Sequence, residues 1–263
     1  MHEPINDISL YTEVAIRAAD KAGVILRDGL QGEVEVFYKA DFNLVTHIDR
    51  QSEALIVSEI HNTFPSHQIM AEEGHNRTGA SPYRWIIDPL DGTTNYAHRF
   101  PFFCISIALE REGEVIMGLV YDPVREERFL AERGKGGFLN GKSIAVSSVD
   151  SLSKSLLVTG FSYDIRTTSD NNFNHFIHFS LKAQAVRRTG SAALDLCYVA
   201  TGRFDGFWEM KLNPWDTAAG SLILTEAGGT VTDFSGKPYS IDDPHILATN
   251  GRLHPEMVKI LNT

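Results

Sequence analysis

Near the N-terminus apolar residues recur at helical spacing: Ile8, Val14, Ala15, Ala18, Ala19, Ala22, Ile25 and Leu26 alternate with charged positions. This period predicts a long amphipathic helix from about Ile5 to Leu30. A second helix is expected from Asp49 to Phe64, with Leu55, Ile56 and Ile60 on its apolar side and Pro65 as its stop. Between them "EVEVFYK" alternates as a strand does. Trp85, Ile86 and Ile87 then read as a buried strand. "FFCISIALE", "GEVIMGLVYDP" and "EERFLAER" follow, separated by turns around "REGE" and "PVRE", as in an antiparallel meander, and "RGKGGFLNGKSI" adds a hairpin. From "KSLLVTG" onward strands and helices mix. "SAALDLCYVATG" and "DTAAGSLILTEAGG" read as Gly-terminated helices, "FDGFWEM" and "TVTDF" as strands, and "HILATN" with "LHPEMVKIL" as strand then helix.

The change of pattern divides the chain into an α+β layer over residues 1–150 and an α/β layer over 151–263. No low-complexity linker separates them and no repeat is visible, so the two parts are expected to pack closely and share a site. A chain of 263 residues can bury a sizeable core.

Composition narrows the function class. With 43% hydrophobic and 22% charged residues, the chain is an ordinary globular protein. Its 34 acidic against 24 basic residues give a formal charge of −10, which argues against extended nucleic-acid binding. An anionic phosphate is still acceptable where bound metal reverses the local field. Cys104 and Cys197 both lie in apolar stretches that suit buried thiols and a reducing compartment. No apolar run is long enough to span a membrane and no leader-like pattern opens the sequence, so a cytoplasmic location without membrane attachment is expected.

The candidate chemistry lies in "RWIIDPLDGTTNYAHRFPF". Asp88 and Asp91 taken alone suit a turn and a helix cap. Here they follow a buried strand, where open α/β sheets place ligands, and two carboxylates in a crevice repel unless a cation neutralises them. Two further acidic motifs fall at breaks between elements: "MAEEG" with Glu72 and Glu73, and "NPWDTAAG" with Asp216, the latter also an apt N-cap for a helix beginning at Thr217. An all-oxygen set suits Mg²⁺ and disfavours zinc. None of the ten histidines has metal-ligand spacing; His61, His67, His75 and the others read as surface or core-edge residues, and His98 is the least settled. "DGTTN" adds Gly92, two hydroxyls and backbone N–H groups at a helix start, a geometry that attracts phosphate.

Together "WIIDPLDGTTNY", "MAEEG" and "NPWDTAAG" resemble the defining motifs of the inositol monophosphatase family. The resemblance continues through "LVTHIDRQSE", "HRFPFFCISIAL", "GKGGFLNGK", "RRTGSAALDLCYVATGRFDGFWE", "EAGG" and "ATN", over nearly the whole chain. It implies a five-layered αβαβα sandwich, a homodimer, and Mg²⁺-dependent, Li⁺-inhibited hydrolysis of a small phosphate ester. By the same resemblance Glu72, Asp88 and the Leu90 carbonyl would hold one Mg²⁺, and Asp88, Asp91 and Asp216 a second. A third, weaker ion would lie near Glu72. Thr93 paired with Asp49 would orient and activate water, with Glu72 part of the catalytic set. Asp91, Gly92, Thr93 and Asp216 would face the substrate, and Gly190, Ser191, Ala192 and Glu209 its alcohol part. Asn43 stands directly before "LVT", where relatives commonly have Asp.

Relatives of this pattern also act on fructose 1,6-bisphosphate, histidinol phosphate, NADP or phosphoadenosine nucleotides, and Arg187 and Arg188 could reach a second phosphate. A glycosidase would also use paired carboxylates but would survive chelation. A metal-stabilised binding protein would share the ligands without releasing phosphate.

Overall fold

The computed structural model describes residues 8–32, 34–40 and 43–263. The amphipathic N-terminal segment forms α1 (Ile8–Gln31), whose alanine-rich face is buried. Residues 5–7 of the expected helix and Glu33 of the expected strand lie outside the described residues. A short hairpin, β1 (Val36–Ala40) and β2 (Asn43–Thr46), leads into α2 (His47–Thr63), which packs along α1.

The chain then builds a seven-stranded sheet in sequential order: β3 (Gln68–Ala71), β4 (Tyr83–Asp91), β5 (Cys104–Arg111), β6 (Glu114–Asp122), β7 (Glu127–Glu132), β8 (Gly137–Leu139) and β9 (Lys142–Ser143). One turn of helix, α3 (Thr93–Ala97), separates β4 from β5. The meander is as expected, β5 through β9 pairing antiparallel; only β3 and β4 run parallel. A five-stranded sheet follows in the order β11-β10-β12-β14-β13, made of β10 (Leu156–Thr159), β11 (Ala185–Arg187), β12 (Gly206–Met210), β13 (Thr230–Thr232) and β14 (His245–Thr249). Its helices are α4 (Phe173–Ser180), α5 (Ala192–Ala200), α6 (Pro214–Glu226) and α7 (His254–Leu261).

The strand period of two distributes side chains between layers. On β4, Trp85 and Ile87 join the core beneath α1 and α2, while Ile86 faces the opposite way onto α5 and α6. On β12, Phe207 faces that same middle core, whereas Trp208 packs with Phe179 of α4 and Met257 of α7. The result is the five layers: α1 and α2, the large sheet, α5 and α6, the small sheet, then α4 and α7. The middle layer sits close to the large sheet. A Cβ on Gly118 of β6 would lie 2.7 Å from the Ala219 carbonyl oxygen, and one on Gly220 would lie 2.7 Å from Leu196 Cβ.

His67 departs from its expected place at the surface or core edge. It is fully buried, its ring stacked between Phe64 (4.8 Å) and Tyr83 (4.9 Å), and it accepts a 3.0 Å hydrogen bond from Trp85 Nε1. No helix among the described residues is long and apolar enough to cross a membrane.

Candidate active site

Four elements converge on one cavity of about 710 Å³. Glu72 follows β3 directly, and Asp88, Leu90 and Asp91 end β4. Gly92 and Thr93 open α3, and Asp216 lies in the first turn of α6. The carboxyl ends of the one parallel strand pair therefore form the floor, within an otherwise antiparallel sheet. β4 continues past Pro89: the pairs Asp88 with Ser106 and Asp91 with Cys104 are interrupted by an irregularity that turns the Leu90 region out of the ladder. Proline has no N–H to give the ladder, and a bulge re-aims side chains at a strand end.

Each acid is held by hydrogen bonds. Asp88 Oδ1 accepts the Leu90 N–H at 3.0 Å. Asp91 Oδ2 accepts Ser191 Oγ at 2.7 Å and the Ala193 N–H at 2.8 Å. Asp216 Oδ2 accepts the Asn213 N–H at 2.7 Å, and Glu72 Oε1 takes Lys39 Nζ at 3.0 Å. The Ala192 N–H also approaches the Asp91 carboxylate, while the described hydrogen bonds of Asp88, Asp216 and Glu72 each fall on a single oxygen.

Asp216 is not the helix N-cap expected from the sequence. The helix starts at Pro214, Asn213 caps it, and Asp216 is the third residue of a capping box. Asp49 repeats the arrangement on α2. Thr46 is its cap, and Asp49 Oδ2 accepts the Thr46 N–H at 2.8 Å and its hydroxyl at 2.5 Å. A capping box uses one oxygen of the acid and fixes the other in space. In Asp49 that second oxygen, Oδ1, lies 3.0 Å from Thr93 Oγ1, which is also 3.1 Å from the Leu90 carbonyl.

Electrostatics follow from burial. Burial raises the Asp88 carboxyl well above its ordinary range, and the charges of Glu72, Asp91 and Asp216 push it the same way. Asp91 and Asp216 are raised too, burial again being the main cause, as is Asp49. Three buried carboxyl groups whose negative charge is disfavoured for want of a counter-charge fit a hard divalent cation. Among the described residues no three acidic, histidine or cysteine side chains are already gathered closely enough to hold one ion, and this includes the trio expected around a second Mg²⁺.

Gly190, Ser191, Ala192 and Glu209, expected to face the alcohol, line the same cavity. Gly190 has φ +88° and backs onto the Asn95 amide, which donates to the Phe102 (2.7 Å) and Thr189 (2.8 Å) carbonyls. Glu209 is raised well above its usual range by burial, with Asp216 and Asp91 adding and Arg188 opposing. Its carboxylate lies over Gly160, where a Cβ would come within 2.1 Å of Oε1. Arg188 lines the cavity and stacks on Phe161 at 4.9 Å, whereas Arg187 is exposed and outside it.

Lys39, Asn95, Gly160 and Asp195 also line the site, and the sequence reading did not single them out. Lys39 sits in an alternating strand and reaches Glu72 and Glu73 only through the β1–β2 hairpin. Burial alone would lower the Lys39 pKa, but the two glutamates raise it overall. Asn95 could have been found, since it closes the "DGTTN" motif. Asn43 lies at the start of β2, and residues 41 and 42 beside it are outside the described residues.

The inositol monophosphatase family model matches residues 7–263. The chain is 45% identical to an inositol-1-monophosphatase of Synechocystis sp., over 97% of this chain and 90% of that protein. It is 42% identical to a putative Nus factor SuhB of Neisseria meningitidis, over 96% and 98%. The solved inositol monophosphatase of Anabaena superposes with a TM-score of 0.89 at 44% identity, covering 98% of this chain and 97% of that one. With a whole-chain family match and a five-layered fold shared with a solved relative, the chain belongs to the inositol monophosphatase family and is a phosphomonoesterase.

Proposed function

We propose that the protein hydrolyses a small phosphomonoester, preferentially myo-inositol monophosphate, with Mg²⁺ bound at the carboxylate cluster. The observation that carries this reading is the set of four acids, Glu72, Asp88, Asp91 and Asp216, anchored by hydrogen bonds around one cavity. Asp88, with Glu72 and the Leu90 carbonyl, would hold one ion, and Asp88, Asp91 and Asp216 another, with a third, weaker ion beside Glu72. Bound Mg²⁺ supplies positive charge that stabilises the phosphoryl oxygens and the departing alkoxide.

The chain's own residues direct the water. Thr93 Oγ1 carries a single proton, shared between Asp49 Oδ1 and the Leu90 carbonyl. Donated to Asp49, that proton leaves the Thr93 lone pairs to accept from a water molecule, so the water oxygen is aimed at phosphorus. As the new P–O bond forms and the ester P–O bond breaks, the water proton passes to Thr93 and the Thr93 proton to Asp49, and the departing alkoxide takes its proton from solvent water. No covalent enzyme intermediate is required. The turn at Gly92 receives the phosphate, and Glu209 accepts hydrogen bonds from the hydroxyls of the alcohol. A homodimer, a cytoplasmic setting and uncompetitive inhibition by Li⁺ belong to the same reading.

The test is phosphate release from inositol 1-phosphate, fructose 1,6-bisphosphate, histidinol phosphate, NADP and an aryl phosphate, each with Mg²⁺ and with excess chelator. The highest kcat/KM on inositol 1-phosphate, abolished by chelation, is expected. Higher kcat/KM on another ester overturns the substrate, and activity that survives chelation overturns the metal.

A further inference from the structure

Three side chains of α2 reach three separate segments of the site. Asp49, Ser52 and Glu53 fall at i, i+3 and i+4, so they share one helix face, and all three are buried. Asp49 meets Thr93. Ser52 Oγ donates a 2.9 Å hydrogen bond to the carbonyl of Pro89, between Asp88 and Leu90. Glu53 turns to the third segment: its Oε2 accepts the Glu73 N–H at 2.6 Å and its Oε1 the His75 N–H at 3.0 Å, with His75 Nδ1 at 2.7 Å. The turn after β3 is wrapped around this carboxylate. Gly74 takes φ +101° within it, and Asn76 Oδ1 closes it by accepting the Ala71 N–H at 2.8 Å. Glu72 lies between the two tethered ends.

We propose that Glu53 and Ser52 are positioning residues, which set the places of Glu72 and of the Pro89–Leu90 carbonyls and thereby the affinity of the site for its divalent cation. Neither lines the cavity, so neither touches substrate. Glu53 is wholly shielded from solvent and satisfied by backbone N–H groups, which makes it a charged clamp on the turn rather than a surface ion pair. Outer groups that orient metal ligands commonly change metal affinity about 10- to 100-fold when removed. Ser52 acts on a carbonyl segment, Glu53 on a carboxylate turn, and the helix gives both one frame of reference. The inference rests on the metal reading of the site given above.

Glu53→Gln keeps the shape but turns an amide donor toward a backbone N–H. Titration of the metal-free full-length protein with Mg²⁺, followed by calorimetry and by the rise in Tm, is expected to show affinity at least ~10-fold weaker than wild type. At saturating Mg²⁺ the KM for inositol 1-phosphate should stay near wild type. His75→Ala, which leaves both backbone N–H groups on Glu53, should bind Mg²⁺ within about threefold of wild type. If Glu53→Gln does not fold, Ser52→Ala carries the test, with a several-fold weaker Mg²⁺ affinity expected. Unchanged Mg²⁺ affinity in a folded Glu53→Gln, or in Ser52→Ala where that variant carries the test, overturns the proposal while leaving the metal site intact. Absence of Mg²⁺ binding by the wild-type protein overturns the metal reading itself.

Discussion

At the scale of single residues, the proposed mechanism assigns proton movement and recognition of the alcohol to separate groups. Thr93 lies between Asp49 and the Leu90 carbonyl and has no charge to give a cation. Thr93→Ala should therefore lower kcat roughly 10²-fold or more with Mg²⁺ binding retained, and a change confined to KM would contradict its role in aligning water. Asp88 is the opposite case. Asp88→Asn removes a charge from the most crowded carboxylate and should lower turnover by at least ~10²-fold even at saturating Mg²⁺. Glu209 can be displaced without touching it. Because a Cβ at position 160 overlaps its carboxylate, Gly160→Ala should force Glu209 aside. The loss in kcat/KM should be about tenfold or more for inositol 1-phosphate, the scale of one lost hydrogen bond to a charged group, and smaller for an aryl phosphate. Equal losses on both substrates would show that position 160 supports the fold instead.

At the scale of elements, legibility followed length and period. α1, α2, α5, α6 and the β5–β9 meander were readable because their apolar residues repeat at helical or strand spacing over many positions. α4, β3 and β11 were not. α4 is eight residues of "FNHFIHFS" with only Phe179 fully buried, and β3 is four residues long, so neither displays a full period. Element starts were shifted for a related reason. Asp216 was read as an apt cap because Asp is a common cap, and α2 was started at Asp49, yet each is the third residue of a box whose cap, Asn213 or Thr46, stands three positions earlier. The carboxylate motifs themselves were visible as unusual acids at breaks. Lys39 was not, because its link to Glu72 depends on a hairpin fold rather than on spacing. The box on α2 carries its own prediction. Thr46→Ala should cost about 1 kcal/mol of stability as a lost cap and also release Asp49 Oδ2, so that Tm and kcat fall together. A lower Tm with unchanged kcat would show that Asp49 is held by Thr93 alone.

At the scale of the molecule, the acid cluster ties stability to pH. Asp88, Asp91 and Asp216 have folded-state pKa values raised above the ordinary carboxylate range, Asp216 up to about 8 and Asp91 up to about 6. Between the ordinary carboxylate value of about 4 and these raised values the folded state binds more protons than the unfolded one. Stability of the metal-free protein is therefore favoured below that window and declines as pH rises through it. On the proposed reading, bound Mg²⁺ would oppose the decline by supplying positive charge in place of the lost protons. Thermal melts in chelator should give a Tm that falls from pH 5 to pH 8, and the increase in Tm on adding Mg²⁺ should be larger at pH 8. An Mg²⁺ effect independent of pH would mean that these carboxyl groups are not the binding groups.

The middle helical layer has a consequence in time as well as in space. Glu72, Asp88 and Asp91 come from the large sheet, but Asp216 arrives on α6, which is wedged between the two sheets and approaches Gly118 too closely to admit a side chain there. An assembly intermediate that has formed only the first sheet and its outer helices holds most of the acids and none of the closure. During refolding, then, catalysis should appear no earlier than hydrogen-exchange protection of α6. The enzyme would thus report on its own maturation: an active molecule is one in which the second sheet has already docked.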